Sequence, residues 1–380
     1  MKLYEFEGRD LFQREGIPVP DYALATSPEE AREKAAEMGL PVMNKAQVLT
    51  GGRYLAGGVR TVWSIDSVEA TARRILGLTI GGYPVHQVMI TPKVEVAREF
   101  YLSVTLDEYH GTPVVILSAE GGVAINKIAE ERPETIIYRP VSITSGLSLV
   151  EARKMCRDIG LKGKDMTDVA TILVALYRAF SNYDALIAEI NPLVRTKEGK
   201  YLALDAKVEI DDSSLYRHTD LNLSFNDRIP NPLELKGKEI GVTYVELEGD
   251  IAIISSGAGL GMASMDIISR KMQPANFLET GGAITADLLY NVMDLVLHKD
   301  GIRALFINVY GGINPIHEGA KGVVRYMQEH GVTIPVVAKA LGNHQEETWE
   351  IFREHGVHVV TDVSTEKGVE ELARLLEGGA

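Results

Sequence analysis

Cysteine is almost absent from this chain. Cys156 is the only one in 380 residues, which excludes an internal disulfide and a thiolate-held metal cluster. That scarcity fits a reducing compartment. No apolar run is long enough to span a bilayer, and the opening MKLYEFEGRDLFQREG is charged and amphipathic, without the apolar core of a secretion signal. The sequence reads as cytoplasmic. Positive charge is in deficit: 39 Lys and Arg face 53 Asp and Glu, a net charge of −14. Such a balance argues against nucleic acid and against a membrane surface as partners. Polyphosphate can still be held, through local glycine loops, lysines and a metal. There is no Walker A motif, no solenoid-length repeat and no low-complexity tract.

What is present suits two or three domains with ordinary cores, since 45% of residues are hydrophobic and 24% charged. A helix is expected over 3–15 with Leu3, Phe6, Leu11 and Phe12 inward, and the prolines of GIPVP forbid its continuation. Ser27-Pro28 opens a second helix with a cap and a proline at its first turn, ending at Gly39. Short strands follow around 41–48, 58–63, 87–90, 98–105 and 113–117, then irregular sequence to about 140. Helical patterns cover 149–159 and 165–181, and a hairpin covers 185–210. DLNLSFNDRIPNPLELKGKEIG reads as a polar inter-domain linker. From about 250, apolar runs (DIAIIS, PANFLE, IRALFINVY, IPVVAKAL, VHVV) alternate with helix-length segments, the pattern of a parallel sheet covered on both faces. Ligands of such sheets sit outside the carboxyl ends of the strands.

The hairpin carries the first candidate chemistry. ALIAEINPLVR and YLALDAKVEI flank TKEGK. With Thr196 to Lys200 as the loop, Arg195 faces Tyr201, Asn191 faces Asp205, and Glu189 faces Lys207. Alternation then puts Glu189, Asn191, Asp205 and Lys207 on one face, with Arg195 on that face near the turn. Asn191 and Asp205 suit Mg²⁺, which takes one or two protein oxygens and completes its shell with phosphate and water; Glu189 suits a water of that shell. The plainer alternative is a solvated face with a cross-strand ion pair.

Three glycine-bearing stretches follow the same logic. NKAQVLTGGRYLAGGV places Lys45 in a strand and Arg53 between glycine pairs, a loop able to close over phosphates or simply to lie on the surface. SSGAGLGMASM joins a strand to a helix, but no acidic ribose partner follows convincingly, so close backbone approach to an acid or phosphate is preferred to a dinucleotide. FINVYGGINPIHEG ends a strand at Gly311 and Gly312 and opens a helix near Pro315. Its free N–H groups would seat an anion.

Taken in order, LYEFEGRDLFQREGIPVP, KAQVLTGGRYLAGGV, EGGVAINKIAEE, EINPLV with LDAKV, GAGLGMASMD, PANFLETGG and VYGGI resemble the β subunit of succinate–CoA ligase over nearly the whole chain. The resemblance implies an α/β protein, with an ATP-grasp nucleotide and magnesium domain over 1–236 and a flavodoxin-like CoA-ligase domain over 237–380. It implies an ADP-forming ligase that couples ATP (or GTP) to acyl-CoA formation. The phosphohistidine and most of the CoA site would lie on a partner α subunit, and the small-molecule acid would be succinate. It assigns Lys45, Gly52, Arg53 and Glu99 to nucleotide, Asn191 and Asp205 to Mg²⁺, Glu189 to catalysis, and Ser256, Gly311, Gly312, Ile313 and Asn314 to substrate and phosphate.

Departures stand beside these matches. Tyr54 and Leu55 follow Gly52-Arg53 where the family has glycine and lysine; a positive φ at Tyr54 would be strained. Thr91 replaces a glutamate of the base-lining segment, and Ala124 and Asn126 stand where acids are usual. Ser256 replaces an asparagine, and Asn314-Pro315-Ile316-His317 is a changed loop. Citrate or malate as the acid therefore remain alternatives, as does a non-catalytic binding partner. His317 reads as a helix-surface histidine rather than a phosphoryl acceptor, and Cys156 as a small buried apolar residue.

Overall fold

In the computed structural model, which describes residues 1–122, 125–282 and 284–378, the chain forms two units, Met1–Leu223 and Ser224–Ala380. Ala124, and the side chain of Asn126, fall outside the description. No helix among the described residues is long and apolar enough to cross a membrane.

The first unit holds two sheets. The four-stranded one runs Ala23–Ala25, Val88–Pro92, Val42–Ala46, Val59–Val62, with each neighbour antiparallel. Helices Pro28–Met38 and Ile65–Leu76 pack against it through Ala31, Ala35, Val68, Ala72 and Ile75. The first is the expected one, with the Ser27 side chain accepting from Glu30 N–H and Gly39 at positive φ. The second was not anticipated, although Ile65, Val68, Ala72 and Ile75 follow helical spacing.

The larger sheet is built around the long strands Val96–Asp107 and Ala185–Thr196, flanked by Thr112–Ser118 and Ile136–Pro140 on one side and by Tyr201–Ala203 and Lys207–Ile210 on the other. Helices Leu149–Asp158 and Gly163–Asn182 bury its core face. Cys156 lies in that core, where burial pushes its thiol up to about 12, consistent with an inert apolar role. The region read as irregular up to 140 contains helix Ile125–Glu131 and strand Ile136–Pro140; at seven and five residues they are too short for periodicity alone to reveal them.

In the second unit the sheet order is Thr243–Glu246, Asn276–Glu279, Ile251–Ser255, Ala304–Gly311, Val336–Gly342, His358–Val359, parallel except for its first strand. Side chains alternate between two cores: Ala252, Ile254, Leu305 and Ile307 face one helix layer, while Ile251, Ile253, Ala304 and Phe306 face the other. That is why these strands read as continuous apolar runs. The expected linker is partly structured, because Asn231 accepts from Leu233 N–H and Glu234 N–H to open helix Pro232–Ile240.

One glycine contact fixes the carboxyl ends of two strands. A Cβ at Gly342, whose φ is +112°, would lie 2.2 Å from Gly311 O. Gly342→Ala is expected to cost about 2 kcal/mol or more in urea unfolding, whereas the same change at solvent-facing Gly378 should cost little.

Candidate functional site

The sequence places charges on the first helix where an apolar stripe should be. Glu5 and Arg9 share the buried face of Glu5–Arg14 with Gly8, Leu11 and Phe12. A Cβ on Gly8 would come within 3.1 Å of Ala206 Cβ, so the helix lies close against the backbone just after Asp205. Glu5 is thereby carried into a cluster of three cations. Its Oε1 accepts from Arg9 Nη2 at 2.7 Å and Lys45 Nζ at 2.8 Å, and Arg53 Nη1 stands 2.7 Å from Oε2. That last contact is an ion pair off the hydrogen-bond direction, since Oε2 has no hydrogen-bond partner. Burial alone would raise the Glu5 carboxyl, but the charges of Lys45, Arg53 and Arg9 outweigh it and hold the group well below the ordinary carboxylate range.

Lys45 and Arg9 also converge on the Leu204 carbonyl, at 2.6 and 2.7 Å. Burial pulls the Lys45 ammonium below its ordinary value; Glu5 and Asp205 oppose this, while Arg9 and Arg53 add to it. Arg53 spans the cluster. It holds Glu5 with one nitrogen and both Asp205 oxygens with the other, at 2.8 and 3.0 Å, and donates to Ala46 O at 3.0 Å. Gly52 takes a φ of +74° ahead of it. Tyr54 is not among the residues at positive φ, so the strain expected there does not arise; its ring is 64% exposed at the loop tip beside Leu55. Thr91 is buried, donates to Asp21 O at 2.8 Å and accepts from Arg9 at 3.4 Å, so it supports Arg9.

Two of the three pairings read from the sequence are present, Glu189 with Lys207 and Arg195 with Tyr201, while Asp205 lies between the two paired strands. Glu189 accepts from Tyr101 O–H at 3.1 Å. Burial raises its carboxyl above the ordinary value, opposed by Lys207, Tyr101 and Asn191, while the Asp205 charge adds to the rise. Asn191 Oδ1 accepts from Gly122 N–H at 2.7 Å, and a Cβ on Gly122 would lie 2.6 Å from Glu99 Oε2. Glu99, Asn191, Glu189, Asp205, Arg53 and Lys45 thus form one connected polar cluster, with Lys45 at its buried end.

Arg195 does not join it. The strand bulges against Val96–Asp107 between Ile190 and Leu193, and Leu193 enters the same core as Ala188 and Ile190. Alternation changes phase across the bulge, so Arg195 turns to the helix side and pairs with Asp165 at 3.1 Å. Glu5, Arg9 and Tyr101 were not anticipated. The available signal was a Glu and an Arg four residues apart on the stripe of Phe12.

In the second unit Ser256 Oγ accepts from Tyr310 N–H at 2.9 Å and so ties two strand ends together. Gly311 is closed in, since a Cβ there would lie 2.3 Å from Ile316 Cγ2; Gly312 is exposed and Ile313 is 91% exposed. Asn343 braces the loop, its N–H donating to Gly311 O at 2.7 Å and its Nδ2 to Ile313 O at 2.8 Å. Pro315 caps helix Ile316–His330 with no side-chain cap bond, and Ile316 N–H donates to Asn343 O at 3.3 Å, so one of the anticipated free donors is engaged. Asn314 lies beside Gly282, its Nδ2 3.7 Å from where a Cβ would stand.

Two family models match the chain. An ATP-grasp domain matches residues 2–195 and a CoA-ligase domain matches residues 254–371. The GDP-forming succinate–CoA ligase β subunit of Thermus thermophilus is 40% identical over 97% of this chain and 98% of its own length. The chain belongs to the succinate–CoA ligase β-subunit family. It is 41% identical to the ADP-forming β subunit of Chloroflexus aurantiacus, covering 91% of this chain and 92% of the other. Among solved structures, ATP citrate lyase from Methanothrix soehngenii superposes with a TM-score of 0.76 over 98% of this chain and 99% of its own, at 19% identity, a likeness of fold. This ligase chain therefore joins an ATP-grasp domain to a CoA-ligase domain, as its motifs imply.

Proposed function

We propose that the chain is the nucleotide-binding subunit of an acid–CoA ligase that phosphorylates a histidine on a separate α subunit and supports acyl-CoA formation from succinate. The observation that carries the reading is the Lys45–Arg53–Asp205–Asn191–Glu189 cluster, in which cations for phosphate and oxygen donors for a metal stand side by side. Lys45, Arg53 and the Gly52 backbone would hold the polyphosphate, and Glu99 beside Gly122 would contact the nucleotide.

Asn191 Oδ1 and Asp205 form an oxygen-only donor set of the kind Mg²⁺ takes, with Glu189 placed to accept from a water of its shell. The metal, when bound, neutralises charge on the transferring phosphoryl group. In the structure Arg53 balances Asp205. Arrival of nucleotide would release that guanidinium toward phosphate, leaving the carboxylate to the metal.

In the second unit, the Gly311–Asn314 loop and the helix after it would receive the phosphoryl group of the partner's phosphohistidine, with Ser256 near the acid. The two named relatives divide between GDP- and ADP-forming enzymes, so both nucleotides belong in the assay. The test is reconstitution with an α subunit, CoA and Mg-ATP or Mg-GTP against succinate, citrate and malate. Succinyl-CoA as the dominant product supports the reading. Preference for another acid replaces succinate, and absence of histidine phosphorylation with either nucleotide overturns the catalytic role.

A further inference from the structure

We infer that the second unit carries a transition-metal site made by His317, His344 and Glu347. One ligand atom from each lies within 4.8 Å of the other two. Each imidazole faces one oxygen of the same carboxylate: His344 Nδ1 stands 3.2 Å from Glu347 Oε2, and His317 Nε2 stands 3.9 Å from Glu347 Oε1. Ligand atoms about 2 Å from a tetrahedral Zn²⁺ lie a little over 3 Å apart, so the three side chains, with ligand atoms within 4.8 Å of one another, must draw closer to share an ion.

The sequence makes this arrangement in an unusual way. His317 lies in the first turn of helix Ile316–His330, while His344 caps helix Gln345–Glu354 from a left-handed backbone at φ 59°. That conformation is uncommon for a non-glycine residue. It places the two imidazole centroids 4.5 Å apart and brings Glu347, in the first turn of its helix, alongside. His317 Nδ1 is buried without a partner among the described residues, which leaves Nε2 as the nitrogen facing the carboxylates.

Two imidazoles and one carboxylate, with room for a water or an anion at a fourth position, suit Zn²⁺, Ni²⁺ or Co²⁺ far better than Mg²⁺. Glu318, 3.0 Å from His317 Nε2, is held by Lys321 at 2.7 Å and acts as a neighbour rather than a required ligand. The site is chemically separate from the oxygen-donor set in the first unit. Through Asn343, which precedes His344 and holds Gly311 and Ile313, an ion here would also stiffen the Gly311–Asn314 loop.

The experiment is equilibrium dialysis of the full-length, chelator-stripped protein against micromolar Zn²⁺ with millimolar Mg²⁺ present, read by elemental analysis. Co²⁺ is used in parallel as the optical probe. The expected result is about one Zn²⁺ per chain and intense tetrahedral Co²⁺ absorption. His344→Asn, which tolerates the left-handed backbone, and Glu347→Gln should each weaken Zn²⁺ at least ~10-fold, with circular dichroism verifying their folding. The inference is overturned if the stripped wild type retains no Zn²⁺, or if both folded variants retain it as the wild type does. Because Zn²⁺ retention is read without nucleotide, acid or an α subunit, its outcome is independent of the proposed reaction.

Discussion

Asp205→Asn is expected to lower phosphorylation of the partner histidine by roughly two to three orders of magnitude, while unfolding free energy changes by less than ~1 kcal/mol. Both halves follow from its surroundings. The Asp205 side chain is about one-third exposed, and its carboxylate accepts from Arg53 Nη2 and from Ala206 N–H. An asparagine oxygen can still accept from these donors, and Arg53 keeps Glu5 as its counter-ion. What disappears is a formal negative charge at the position proposed for Mg²⁺. Single-turnover transfer from radiolabelled nucleotide to the α subunit, compared with a urea melt, separates the two effects. Near-wild-type transfer by the folded variant would remove Asp205 from the metal site.

Glu5→Gln is expected to do the reverse, costing about 3–5 kcal/mol of stability. Glu5 is 3% exposed and faces Arg9, Lys45 and Arg53, so losing its charge leaves three cations crowded together without their shared counter-ion. The urea midpoint of the variant should fall sharply. The pH dependence gives a second reading. The folded-state carboxyl is held below its ordinary value of 4.5, so the unfolded chain takes up the proton first as pH falls. Stability from this group is complete above that value and is lost below it as pH approaches the depressed folded value. The wild type should lose stability more steeply below pH 4.5 than Glu5→Gln does. A midpoint shift under ~1 kcal/mol would mean that water or Asp205 already balances the cluster.

These two carboxylates meet the same guanidinium, and burial decides what each does. The enclosed Glu5 is a structural counter-ion whose removal exposes cations to one another. The partly open Asp205 can exchange its partner for a ligand. Sequence reasoning reached Asp205 through the hairpin and missed Glu5, since a charged residue in a helical pattern is ordinarily assigned to the solvent face.

The hairpin shows where legibility stops. Loop length fixed the antiparallel register, and Glu189–Lys207 and Arg195–Tyr201 follow from counting residues. Counting assumes unbroken alternation. Pro192 cannot donate to a ladder, and the bulge beside it rotates Arg195 to the opposite face. The proline was visible in the sequence, but the size and direction of the phase change depend on Val96–Asp107, a strand some ninety positions away. The acid-side loop is similar: its glycines and helix start were legible, whereas the bracing by Asn343 comes from the neighbouring parallel strand.

The sequence by itself determined the strongly periodic helices, the apolar runs of the second sheet, the pairing of Glu189 with Lys207 and Arg195 with Tyr201, and the ordered motifs of the family, because each depends on local spacing or short-range covalent connection. Only the tertiary structure decided that Glu5 binds three cations, that Arg195 leaves the site, and that His317 meets His344 and Glu347. Those outcomes depend on residues distant in the chain whose charges and burial act through space, where distance and desolvation, rather than spacing along the backbone, set the energy.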